Sequence, residues 1–129
     1  MEKEFVTYTQ SLELKKLGFD KKCLGWMADW SKKIHLGKHE PSHHHQSSCN
    51  AILKQQVFKW FREKHDWSGE IGICCTENKG FLWDIASILV RTEIESSNIE
   101  YDTYEEAESE CIDKLIEMLT RYKQYEISI

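Results

Sequence analysis

The segment Thr103–Tyr122 constrains the fold more than any other part of the chain. Thr103 and Glu106 have the T-x-x-E spacing of a capping box, in which each side chain satisfies a backbone N–H at the start of a helix. Behind that cap, Tyr104, Ala107, Cys111, Ile112, Leu115, Met118, Leu119 and Tyr122 fall on one side of a 3.6-residue wheel. An apolar stripe about five turns long is not stable in water. The chain must therefore fold back a second layer to cover it.

The remaining periodicities supply that layer. A short helix is expected from about Thr9 to Leu17, with Gly18 as its left-handed stop and Phe19 as the apolar contact of a Schellman motif. Cys23–Trp30 reads as a strand with Leu24, Trp26, Ala28 and Trp30 on one face. A second helix is expected from about Ala51 to His65, capped by Ser48 or Asn50, with Leu53, Val57, Trp60, Phe61 and the stem of Lys64 on one side. Ile71–Thr76 and Phe81–Val90 form a hairpin about the turn Glu77-Asn78-Lys79-Gly80, and Arg91–Asn98 reads as a polar connection. The order α-β-(loop)-α-β-β-α with hairpin connections predicts an α+β fold, an antiparallel sheet with helices packed on one face. The candidate core is Leu24, Trp26, Leu53, Val57, Trp60, Phe61, Ile71, Ile73, Phe81, Trp83, Ile85, Cys111, Leu115 and Leu119.

At 129 residues the expectation is one domain over 1–129, since halving it leaves too little core on either side. An aromatic content of 12% excludes a disordered chain. No apolar run approaches the ~20 residues of a membrane span, so no membrane partner is expected. The opening MEKEFVTYTQ lacks a basic-then-apolar signal pattern, which predicts a cytoplasmic protein. Five cysteines, an odd number without the spacing of a disulfide framework, predict reduced structural thiols.

Three blocks carry a resemblance. SLELKKLGFD (Ser11–Asp20), LKQQVFKWFREKH (Leu53–His65) and TYEEAESECIDKLIEML (Thr103–Leu119) cover about a third of the chain. In this order they resemble the opening, middle and closing blocks of small phage and prophage proteins of gut Bacteroidetes. The resemblance implies a phage-encoded accessory protein of the host cytoplasm. It transfers no catalytic residue, because the blocks are packing and capping motifs. The His-rich stretch His35–His45 departs from that pattern.

That stretch lies in a loop over about 31–48, IHLGKHEPSHHHQSSC in part, and holds five of the six histidines. His35, His39, His43, His44, His45 and Cys49 are the candidate metal ligands, because imidazole and thiolate are the donors zinc prefers at about 2.0–2.3 Å. Gly37 and Pro41 interrupt the His-x3-His intervals and deny them a helix, so the reading is a solvated loop with adventitious zinc or nickel and no resident cofactor. For a hydrolase, Cys49 lies near His43–His45 just before the second helix, and Cys74 or Cys75 could meet a His in space, but nothing around Cys49 resembles a thiol-protease signature. No phosphate-binding glycine loop or dinucleotide fingerprint is present. Glu108 falls inside the last helix's apolar stripe, between Tyr104 and Cys111, and requires a partner there.

Charge is the stronger signal. Residues 1–90 hold 13 basic and 11 acidic side chains, and residues 91–129 hold 4 and 11. From Glu93 to Glu117 there are ten acids and one base, Lys114. Such a surface repels nucleic acid and draws basic partners. The expected function is therefore a non-enzymatic protein-binding role, with Glu95, Glu100, Glu105, Glu106, Glu110, Asp113 and Glu117 facing a basic protein. The alternatives are a small metal-binding protein organised by the His loop, and an enzyme whose Cys/His or carboxylate site is assembled in space.

Overall fold

The computed structural model describes residues 2–27, 33–37, 49–73 and 80–128. It is an α+β structure with two three-stranded antiparallel sheets where the sequence suggested one. The chain divides into two compact units, Met1–Gln56 and Val57–Ile129.

In the first unit, helix α1 (Tyr8–Lys16) begins at Thr7, whose hydroxyl accepts from the Gln10 amide while the Gln10 side chain accepts from the Thr7 N–H. Its end is the expected Schellman stop. Gly18 has φ +97°, the Phe19 N–H reaches the Leu14 carbonyl at 3.0 Å and the Gly18 N–H that of Lys15 at 3.2 Å. Strands β1 (Gly25–Met27), β2 (Ile34–Leu36) and β3 (Cys49–Ala51) form a sheet with β1 central. Phe5, Met27, Cys49 and Ala51 make the core, with Tyr8, Leu12, Ile34 and Leu53 against it.

The expected core face of β1 is corrected here. Met27 is buried, Leu24 is 61% exposed ahead of the strand, and Trp26 points to the opposite side, stacked on His35 with centroids 4.4 Å apart. Ala28 and Trp30 lie outside the described residues. Large apolar residues occupy both parities of this segment, so alternation alone could not choose. The small Cys49 and Ala51 opposite leave room for the unbranched Met27. Gly25 is fixed by β2, because a Cβ there would collide with the His35 carbonyl oxygen.

Helix α2 (Lys54–His65) starts three residues later than expected, because Cys49–Ala51 is taken up by pairing with β1. The Gln56 side chain accepts from the Leu53 N–H, as Gln10 does for Thr7.

The second unit holds strands β4 (Trp67–Ile73), β5 (Phe81–Ser87) and β6 (Glu93–Ser96), with β5 central, and helix α3 (Tyr104–Ser128). Strand β6 lies in the stretch read as a polar connection. The register Gly69↔Ile85 and Ile71↔Trp83 sets one face. That face meets the helices: a Cβ on Gly69 would lie 2.9 Å from Cys111 Sγ of α3 and 3.0 Å from the Phe58 ring of α2. Val57, Trp60, Phe61, Trp83, Ile85, Cys111, Leu115 and Leu119 are buried as expected. Leu53, Ile71 and Phe81 are half-buried, and Ile73, at the end of β4, is 74% exposed. Among the described residues no helix is long and apolar enough to cross a membrane.

Candidate interaction surface

The buried stripe of α3 runs through Ala107, Glu108, Cys111, Ile112, Leu115, Ile116 and Leu119. At 100° per residue, Glu106, Glu110, Asp113 and Glu117 fall on the opposite side, and all four are exposed. They form a ridge about 16 Å long, from the ~1.5 Å rise per residue.

The other acids are placed differently. Glu105 is half-buried off the ridge, and Glu100 sits in the segment before α3, against Gly80. Glu95 shares the Ile85 side of the sheet and reaches Lys114 at 3.8 Å. Lys114 also meets Glu117 at 3.6 Å, and Arg121 holds Glu117 at 2.6 Å. This network of alternating sign neutralises the C-terminal part of the ridge. Glu106 and Glu110 make no ion pair among the described residues. The Glu106 N–H donates to Thr103 Oγ1 at 3.1 Å, one half of the expected capping box.

The surface the sequence did not disclose is apolar. Ile88, Leu89 and Val90, read as the end of a strand, form an exposed turn between β5 and β6, with Leu89 84% and Val90 71% exposed. Asp66, between α2 and β4, holds this turn. Its carboxylate accepts from Ser87 Oγ at 2.7 Å and from the Leu89 N–H at 3.1 and 3.3 Å. Its carbonyl accepts from the Ile88 N–H at 3.1 Å. The Ser87 N–H closes the base by donating to the Thr92 carbonyl at 3.0 Å. Asp66 and Arg91 both take left-handed backbone angles, φ 63° and 53°. Three consecutive aliphatic side chains are thus displayed on a backbone whose order is fixed in advance. The sequence signal for it was Asp66, a residue that tolerates positive φ, placed directly after a helix.

The metal and thiol candidates separate. His35 pairs with Trp26 and Cys49 with Met27, so the two lie on opposite faces of their sheet and cannot share an ion. His39, His43, His44 and His45 lie outside the described residues, as do Cys74 and Cys75. Among the described residues no three His, Cys, Asp or Glu side chains converge to hold a metal. Burial pushes the Cys111 thiol up to about 12, with Asp84 and Glu108 adding to it. Burial also raises Cys23 to about 11, and it raises Cys49 against opposing effects of Ser11 and Lys15. These thiols are protonated at neutral pH, the reverse of what a nucleophile needs. Glu108 is 6% exposed, as its place in the stripe requires, and burial, then Glu108 and Glu105, raises the Tyr104 hydroxyl.

On the sheet face away from Gly69, Asp84 stands directly opposite Glu70, with Glu93 also near. Desolvation, then Glu70 and Glu93, raises the Asp84 carboxyl. In the first unit a cleft of about 340 Å³ lies between the start of α1 and Met27 and Ile34. No protein-family model, curated protein or solved structure matches the chain.

Proposed function

We propose that the chain is a non-enzymatic accessory protein, phage-encoded as its three sequence blocks suggest, that docks to a protein partner in the host cytoplasm. The observation that carries this reading is the Ile88–Val90 turn. Exposed aliphatic side chains contribute affinity when a partner's pocket desolvates them. A backbone ordered beforehand by Asp66 lowers the entropy lost on binding. The α3 ridge supports a basic rim on that partner, because outward acids accelerate the encounter more than they tighten the complex.

The test is affinity capture of the full chain from its natural host, run beside two variants. Leu89→Asp should lose the partner that the parent recovers. Reversal of Glu110, Asp113 and Glu117 to Lys should slow association and flatten its dependence on ionic strength, since the Debye length is only ~8–10 Å at physiological salt. A partner recovered equally by the parent and both variants refutes this surface.

A further inference from the structure

We propose that His65 is a protonation switch for the Ile88–Val90 turn: as an imidazolium it leaves its aromatic packing and displaces Asp66, which releases the backbone of Ser87–Leu89. His65 is the last residue of α2, and Asp66 is the next in the chain. Its imidazole stands edge-on to Trp60 at 4.8 Å between ring centroids, with Phe61 at 5.7 Å and Trp67 at 6.1 Å. Its Nε2 is buried and has no hydrogen-bond partner among the described residues.

A neutral ring tolerates that site. Protonation puts a charged N–H where nothing among the described residues accepts it, and a buried charged donor left unsatisfied is costlier than a neutral one. The charged side chains acting on the imidazole are Lys64 from its own helix and Lys123 from α3, both cations. From the junction, the Asp66 carboxylate is committed to Ser87 and Leu89, and β4 contributes the Trp67 indole. A cation–π contact with Trp60 opposes expulsion, yet the ring face supplies no acceptor for a stranded charged N–H beside two cations. Desolvation first, then Lys123 and Lys64, accordingly lowers the His65 pKa from its ordinary 6.5.

The mechanical link is short. The Asp66 carbonyl and carboxylate together hold Ile88, Leu89 and Ser87, so rotation of the His65–Asp66 junction removes all of these bonds at once. The consequence for binding rests on the docking reading above; the switch itself does not.

The experiment is amide hydrogen exchange by NMR on the full chain, with protection factors corrected for intrinsic rate. Between about pH 7.5 and pH 5.0, protection at Ile88 and Leu89 should fall about tenfold, while the β4–β5 ladder changes less than about threefold. His65→Phe keeps a ring in the cluster with no proton to take, and should abolish the fall. The His65 ring carbon and the Leu89 amide of the parent should titrate with one midpoint, a readout that needs no variant. Unchanged protection, an equal loss across the ladder, or two separate midpoints would overturn the switch. None of these readouts involves a partner, so failure of the docking reading would leave them intact.

Discussion

At Gly69 the sheet comes close to both α2 and α3, and Gly69→Ala tests that packing. The new methyl would stand 2.9 Å from Cys111 Sγ and 3.0 and 3.1 Å from two carbons of the Phe58 ring. Real Cβ contacts are longer, so something must move. Cys111 is fully buried and Phe58 nearly so, and neither can swing into water. Overpacking of this kind costs about 1–3 kcal/mol. Against it stands a gain of about 0.4–1 kcal/mol, because alanine narrows the unfolded ensemble and the backbone at this position has no positive φ to resist it. The net expectation is a loss of about 1–2 kcal/mol, read as a lower urea midpoint at constant slope. Cys111→Ala removes the nearest atom. In that background Gly69→Ala should cost less by about 1 kcal/mol, with the Phe58 contact remaining, and a double-mutant cycle isolates the difference. Equal cost in both backgrounds would refute the close approach of α3 to β4.

Trp60→Ala should cost about 3–5 kcal/mol, since the indole is almost fully buried, and a thermal melt measures it. Native Cys111 should resist alkylation at neutral pH until the protein is unfolded, because the thiol is both buried and raised to about 12, as mass spectrometry of iodoacetamide-treated protein would show. Because the folded His65 pKa lies below its ordinary 6.5, the unfolded chain takes the proton first as pH falls; stability from this residue is complete above 6.5 and declines below it until the folded pKa is passed. A series of urea midpoints against pH in the parent and His65→Phe isolates that contribution. Asp84→Asn should stabilise the chain at pH 7 by a few tenths to about 1 kcal/mol by removing a like-charge pair across β4 and β5. Its folded pKa is raised, so the benefit should vanish once pH falls below the ordinary carboxyl value of 3.8, where both states are protonated.

What the sequence disclosed was local. The Schellman stop at Gly18–Phe19 and the Thr103 cap depend on residues within a few positions of one another; the first forms as read, and of the capping box the Thr103 half forms. Apart from Lys64, Tyr104 and Tyr122, which are exposed at or near the helix ends, the buried faces of α2 and α3 followed from periodicity over several turns. The face of β1 did not, because three residues with large apolar neighbours of both parities carry no decisive pattern. Strands β3 and β6 were missed for a related reason: Cys49–Ala51 and Glu93–Ser96 are strands only because β1 and β5 offer them backbone partners. The turn Ile88–Val90 was read as strand because a run of aliphatic residues is a strand signal. What makes it a turn is Asp66, more than twenty positions away in sequence, and no window around the run contains it.

Asp66 also bears on the docking role proposed for that turn. A non-glycine residue at φ 63° pays about 1–2 kcal/mol relative to the right-handed region, less for aspartate than for most. Glycine would adopt the same angle without strain and would still offer its carbonyl to Ile88. Only the carboxylate reaches Ser87 Oγ and the Leu89 N–H, and exposed hydrogen bonds of this type contribute about 0.5–1.5 kcal/mol each. Strain and hydrogen bonding therefore nearly cancel in global stability. The side chain's net effect falls on the turn, which is held in one conformation with Leu89 and Val90 in water. Aliphatic side chains left exposed on a backbone this well secured are the feature from which we propose docking to a partner.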